Sequence, residues 1–419
     1  MQPSTSVSGP ADPSGLADLY RDLHAHPELA FQETRTAAIV AGRLRALGYE
    51  TFTGVGGTGV VGVLRNGEGP TALLRADMDA LPVRERTGLP YASTAHGTDP
   101  DGNSVPLMHA CGHDMHVACL LGAAAALSGD LSGWQGTALL VFQPAEETGR
   151  GAQAMIDDGL FERFGRPAVV LGQHVSPLPA GVVGLRPGPA FAASDSLSVV
   201  LHGRGGHGSR PETTVDPVVM AAATVMRLQG IVSREVAASS TAVVTVGALH
   251  AGSRGNIVAD RAELSLSVRT FDRPVRDRVL AAVDRIVQAE AAASGAPRDP
   301  EITVTESFPA VVNDPDACAF TEQALTAALG LVVDPGPVTG SEDVGVLAQA
   351  AGAPCVYWLL GGADPAAFGD AKDLAAIEAV VLGLPNNHSP HYAPVVEPTL
   401  TAGVGALTAA ARAWMPAPS

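Results

Sequence analysis

The sequence predicts an α/β protein, with a mostly parallel sheet flanked by helices and a smaller α+β sandwich inserted into it. Three observations carry this reading. Short β-rich runs alternate with Ala-rich helical segments over residues 1–188, the order of elements changes over 189–306, and the alternation resumes over 307–419. Strands interleaved with helices build a sheet whose strands run the same way and are covered on both faces. A chain of 419 residues also exceeds one ordinary core and suggests roughly two or three domains, and the change in element order places one inside another.

Taken in order, residues 15–25 and 33–47 have apolar positions at helical spacing, and Gly48 ends the second helix. Runs at 60–64, 71–75, 137–142 and 168–171 predict strands, with helices at 114–128 and 150–158 between them. The inserted unit reads strand 196–201, helix 216–231, strands 242–249 and 262–269, helix 274–293, strand 302–305. That order suits a compact sandwich. Gly/Pro-rich residues 185–189 and the region of Pro309 are the expected hinges. A helix at 314–329, a strand at 355–360 and an Ala-rich helix at 398–413 close the chain.

Composition excludes some classes of partner. A formal net charge of −17 disfavours nucleic acid and anionic membrane, both of which are bound through surplus Lys and Arg. The longest apolar stretches, 117–127 and 218–226, fall well short of the ~20 residues a membrane helix needs. The first ten residues lack a basic region and an apolar core, so they read as a flexible leader, and a cytoplasmic protein is expected. Four cysteines without a Cys-x-x-Cys pair offer no disulfide framework, as in a reducing compartment.

The chemistry concentrates in His109-Ala110-Cys111-Gly112-His113-Asp114-Met115-His116, followed downstream by Glu146-Glu147. Cys, His and Glu form a ligand set for a zinc-like ion, and a glutamate left over from ligation could activate water. Cys111 and His113 flank a glycine at the start of a helix, where free N–H groups favour a thiolate. Each alone also reads as a buried thiol and a helix-start histidine. Their company decides: Asp77, Asp79, Glu146, Glu147 and His174 all follow predicted strands, and open α/β sheets place their sites at the carboxyl ends of strands. His388, in Asn386-Asn387-His388-Ser389-Pro390, completes a five-ligand set, enough for two ions. His24 and His26 read as architectural and Cys119 as core.

These motifs, together with His24-Ala25-His26-Pro27-Glu28, Arg75-Ala76-Asp77-Met78-Asp79, Gly206-His207, Gly255-Asn256-Ile257-Val258, Ser267-Val268-Arg269-Thr270 and Gly340-Ser341-Glu342-Asp343, span nearly the whole chain. In them the chain resembles the metallo-aminoacylase and carboxypeptidase superfamily, in its amidohydrolase branch of hippurate and auxin-conjugate hydrolases. The resemblance implies hydrolysis of N-acyl amino acids by two divalent ions, zinc or else manganese, cobalt or nickel. It implies that Cys111 bridges the ions, with Glu147 and His388 on one and His113 and His174 on the other. Glu146 would be the general base and Asp79 would orient ligands. His207 would stabilise the oxyanion from across a homodimer formed through the inserted lid, while Asn256 and Arg269 would hold the substrate carboxylate. Carboxypeptidase relatives have a metal-binding His where this chain has Asp77 and an aspartate where it has Cys111, which leaves Asp77 without an assigned role. Three alternatives stay open: a dipeptidase or carboxypeptidase using the same machinery, a hydrolase with Cys111 as nucleophile, and a metal-binding scaffold without turnover.

Overall fold

The computed structural model describes residues 14–371 and 373–417. The leader read from the first ten residues lies outside them. The chain divides into two compact units, one taking residues up to Gly188, Val312–Gly336 and Asp343 onward, the other Pro189–Val311 and Pro337–Glu342.

In the first unit an eight-stranded sheet runs Glu50–Val55, Gly59–Asn66, Gly136–Gln143, Thr71–Asp77, Val169–Pro179, Cys355–Ala363, Val183–Gly184, Val332–Val333. Its four central strands, Gly136–Gln143 to Cys355–Ala363, are mutually parallel. They are buried almost throughout, as strands covered on both faces must be. The Glu50–Val55 and Gly59–Asn66 strands add an antiparallel edge. Helix His113–Gly129 is buried on nearly every side, and the helices Ser14–Ala25 and Thr399–Trp414 pack against it. Among the described residues no helix is long and apolar enough to cross a membrane.

Parallel register is what assembles the site. Asp77 pairs with Gln143 and Arg75 with Gly172, so the residues after Thr71–Asp77, those after Gly136–Gln143, and His174 emerge at one end of the sheet.

The second unit is a four-stranded antiparallel sheet in the order Ala242–Ala251, Arg261–Thr270, Ala193–His202, Glu301–Phe308. Strand Arg261–Thr270 alternates buried and exposed residues, and its buried set packs with the apolar stripes of helices Pro217–Arg234 and Arg273–Ala293. Both helices start alike: Asp216 and Asp272 accept backbone N–H groups of the first turn, and a proline follows within two residues.

Candidate metal centre and active site

The centre is built around a turn that only glycine can make. Gly112 has φ +82° immediately before helix His113–Gly129, and a Cβ there would lie 2.4 Å from Val175 Cγ1. Cys111 and His113 therefore project from either side of a tight, packed turn. Cys111 Sγ lies 3.4 Å from His174 Nε2. His113 Nδ1–H donates to the Asp79 carbonyl at 2.9 Å, which leaves its lone pair on Nε2. That Nε2 is 3.5 Å from Asp77 Oδ2, 3.7 Å from Glu146 Oε2 and 3.9 Å from Glu147 Oε1. His388, held in the left-handed region at φ +70°, brings its Nε2 to 3.4 Å from Glu147 Oε2, and its N–H is fastened to the Ala110 carbonyl. Two triads result, Cys111/His113/His174 and Cys111/Glu147/His388, with ligand atoms within 4.8 Å of one another in each. Cys111 belongs to both.

The cluster fits a pair of cations. His113 Nε2 and Glu147 Oε1 are buried and, among the described residues, have no hydrogen-bond partner, a costly arrangement unless something else binds them. Despite burial, Asp77 and Cys111 raise the pKa of His113, so positive charge is favoured at its ring. Burial drives Glu147 up to about 8, with His113 opposing and Asp79 and Asp77 adding to the rise. Burial and the Glu147 charge also push the Cys111 thiol up. This corrects the thiolate expected from the helix start: in the metal-free protein desolvation outweighs the helix terminus, and a bound cation is needed to hold sulfur ionised. His109 belongs to neither triad; burial lowers its pKa to about 4, so its ring is neutral.

Glu146 and Glu147 are displayed by a turn that follows strand Gly136–Gln143 at Pro144-Ala145. Ala145 has φ +51°, and three consecutive N–H groups are caught by two carboxylates: Ala145 by Glu33 Oε1 at 2.8 Å, Glu146 by Asp79 Oδ1 at 3.1 Å and Glu147 by Asp79 Oδ2 at 3.0 Å. Asp79 thus acts on the backbone of both glutamates, and its Oδ1 also lies 3.3 Å from His113 Nδ1. Glu33 was missed because nothing near it in sequence announces the turn it meets. Arg75, also missed, is fully buried and bonds Asp77, Gln143, Asp343 and the Tyr357 oxygen.

His24 fastens the surroundings of the helix start. Its ring lies between Asp114, at 2.7 Å, and Glu85, at 3.0 Å. Burial lowers its pKa, but Asp114 and Glu85 together carry it up to about 10. A folded pKa above the unfolded value of about 6.5 means that this stabilisation is complete below pH ~6.5 and lost as pH rises towards 10. Urea unfolding of the metal-free protein between pH 6.5 and 10 should therefore show a steeper loss of stability for wild type than for His24→Gln, and parallel curves would refute the assignment.

The residues expected to bind substrate lie in the second unit. His207 sits on the short strand Gly206–His207, paired with Ile257–Val258, and the Gly208 N–H donates to the Asn256 carbonyl, so His207 and Asn256 are neighbours. The Ser209 N–H donates to His207 Nδ1, which puts the proton of the neutral ring on Nε2. Arg269 Nη1 donates to the Thr339 carbonyl and to Ser341 Oγ.

A parallel sheet with buried Cys, His and Glu side chains converging at its carboxyl end defines a metal-dependent amidohydrolase. A family model described as peptidase family M20/M25/M40 matches residues 73–376, and the chain belongs to that family. The hippurate hydrolase of Campylobacter jejuni is 40% identical over 334 residues, covering 78% of this chain and 83% of that protein. Thermostable carboxypeptidase 1 of Saccharolobus solfataricus is 36% identical over 351 residues, covering 83% and 85%. The crystal structure of the Bacillus subtilis YXEP protein, described as a dinuclear metal binding peptidase, matches with a TM-score of 0.75 at 29% identity over 95% of this chain and 97% of that one.

Proposed function

We propose that the protein hydrolyses N-acyl amino acids to a carboxylic acid and a free amino acid, using two divalent ions at the Cys111 cluster. The observation that carries this is the pair of buried, unpartnered atoms, His113 Nε2 and Glu147 Oε1, within ligand triads that share Cys111. In this reading Cys111, Glu147 and His388 would hold one ion, and Cys111, His113 and His174 would hold the other. Such ions, when bound, polarise an amide carbonyl and make water nucleophilic near neutral pH. Glu146 takes the proton of the attacking water and delivers it to the leaving nitrogen. His207 donates Nε2–H to the developing oxyanion, and Asn256 and Arg269 hold the substrate carboxylate, for which the planar guanidinium is suited. Zinc, manganese, cobalt or nickel would serve, and four cysteines without a disulfide among the described residues suit a cytoplasmic setting.

The name of the Campylobacter relative favours acyl amino acids and that of the Saccharolobus relative favours peptides. A panel of N-acetyl, N-benzoyl and long-chain N-acyl amino acids, assayed beside unblocked dipeptides and longer peptides with each metal added, decides between them. Release of free amino acid from the acylated set is expected. Cleavage of peptides alone would replace this reading with a carboxypeptidase.

The inserted unit is proposed as lid and homodimer interface. Its edge strand Ala242–Ala251 exposes Val243 and Leu249, and helix Pro217–Arg234 exposes Val218, Val219 and Met226, a surface that pairing with a second copy would cover. If His207 serves the partner's site, Glu146→Gln and His207→Ala homodimers should both be nearly inactive. Equal mixtures that exchange subunits should regain about a quarter of wild-type activity, since half the dimers then carry one working site. No gain on mixing would eliminate the trans role.

A further inference from the structure

We propose that Asp77, His116 and Asn387 act as positioning residues, a relay through the two peptide groups flanking the Val175 Cα that sets the orientation of His174 and ties it to Cys111. The inference rests on His174 being a metal ligand, as read above. It supplies a role for Asp77 and for His116, which is not one of the five expected ligands.

The relay is a continuous set of hydrogen bonds. His116 Nδ1–H donates to Asp77 Oδ1 at 2.5 Å, and His116 Nε2 accepts the Val175 N–H at 2.8 Å. A carboxylate can only accept, so Asp77 places the proton of His116 on Nδ1 and leaves the lone pair on Nε2 for the peptide. With both nitrogens engaged, His116 has no atom left for a metal. Asp77 is itself held by Arg75, whose Nη1 reaches Oδ2 at 2.7 Å. Burial alone would raise the Asp77 carboxyl, but Arg75, His113 and His116 keep it well below its usual range.

On the far side of Val175 the carbonyl accepts His174 Nδ1–H at 2.8 Å and Asn387 Nδ2 at 3.2 Å. The first bond turns His174 Nε2 towards Cys111 Sγ. The second comes from the residue before His388, and the same Asn387 nitrogen lies 3.1 Å from the Cys111 carbonyl. One residue of strand Val169–Pro179 therefore links the end of strand Thr71–Asp77, helix His113–Gly129 and the loop carrying His388. Gly112, packed onto the Val175 side chain, closes the arrangement from the other direction. Metal distances tolerate about ±0.2 Å, and losing an outer partner of a ligand typically costs 10- to 100-fold in metal affinity or activity.

The test compares His116→Phe, His116→Asn and Asn387→Ala with wild type and with His174→Ala, each loaded with zinc or cobalt. The readouts are bound metal by elemental analysis, affinity by chelator competition, the visible spectrum of the cobalt form, and kcat and KM. His116→Phe removes both relay bonds, while His116→Asn keeps a donor near the Nδ1 position for Asp77 but is too short to place its amide oxygen where Nε2 accepts the Val175 N–H. Both should release one ion about 10- to 100-fold more readily, alter the cobalt spectrum, and lower kcat with KM little changed. Asn387→Ala, at a half-buried position, should shift affinity and spectrum in the same direction by less, and keeps the test decisive should His116→Phe not fold. Wild-type affinity and spectrum in His116→Asn and Asn387→Ala, alongside weakened binding in His174→Ala, would overturn the relay alone. Undiminished binding of both ions in His174→Ala would overturn the ligand reading and the relay with it.

Discussion

Replacing Glu146 by glutamine is expected to leave a folded, metal-loaded protein that has lost turnover by at least about 10²- to 10⁴-fold, the usual contribution of a general acid or base. The backbone should hold its place, because the Glu146 N–H remains bonded to Asp79 Oδ1 and Ala145 remains bonded to Glu33. The side chain keeps its shape, since an amide differs from a carboxylate by one group at the same position. What it loses is the ability to accept a proton. The carboxylate is 4% exposed at residue level and its Oε2 lies 3.7 Å from His113 Nε2, close enough to the ligand cluster to reach water there. The check is kcat on the best N-acyl amino acid, with metal content measured on the same sample. Near-normal kcat at full metal occupancy would remove Glu146 from the mechanism, whereas lost activity with lost metal would place it among the ligands.

Much of this architecture is legible in the sequence because its signals are local. The central strands are uninterrupted apolar runs, and the Cys111 motif packs its chemistry into eight consecutive residues, so neither needs knowledge of distant contacts. The edge strand Glu50–Val55 escapes such a reading, since its residues are mostly part-exposed and carry two threonines and a glycine. Glu33 and Arg75 escape it for a different reason. Each is an ordinary charged residue in its own segment and becomes part of the site only through partners 112 and 268 positions away, Ala145 and Asp343. The segment Pro337–Glu342 likewise joins the second unit across a long gap in sequence, which periodicity cannot register. Asp77 shows the limit most clearly. Its position marks it as part of the site, but its role depends on a peptide N–H of Val175 reached through the ring of His116.

The second large effect concerns the metals themselves. Cys111 Sγ stands 3.4 Å from His174 Nε2, a spacing that a cysteine nucleophile and its base could also show. Reactivity argues otherwise. A nucleophilic cysteine needs a depressed pKa, whereas burial and Glu147 push this thiol up, and burial with His116 pulls the His174 pKa well down. The raised thiol and His174, which resists protonation, make a poor ion pair, and His113, although it lowers the thiol, does not outweigh burial; the same groups make good ligands once a cation displaces the thiol proton. Chelation should therefore abolish activity, and a divalent ion added back should restore it. Cys111→Ser should lower metal occupancy together with activity, because a hydroxyl bridges two ions far less well than a thiolate. Excess metal should recover part of the Cys111→Ser activity if the residue is a ligand and none if it is the nucleophile. Full activity in protein shown by elemental analysis to be metal-free would give the reaction to Cys111 as nucleophile.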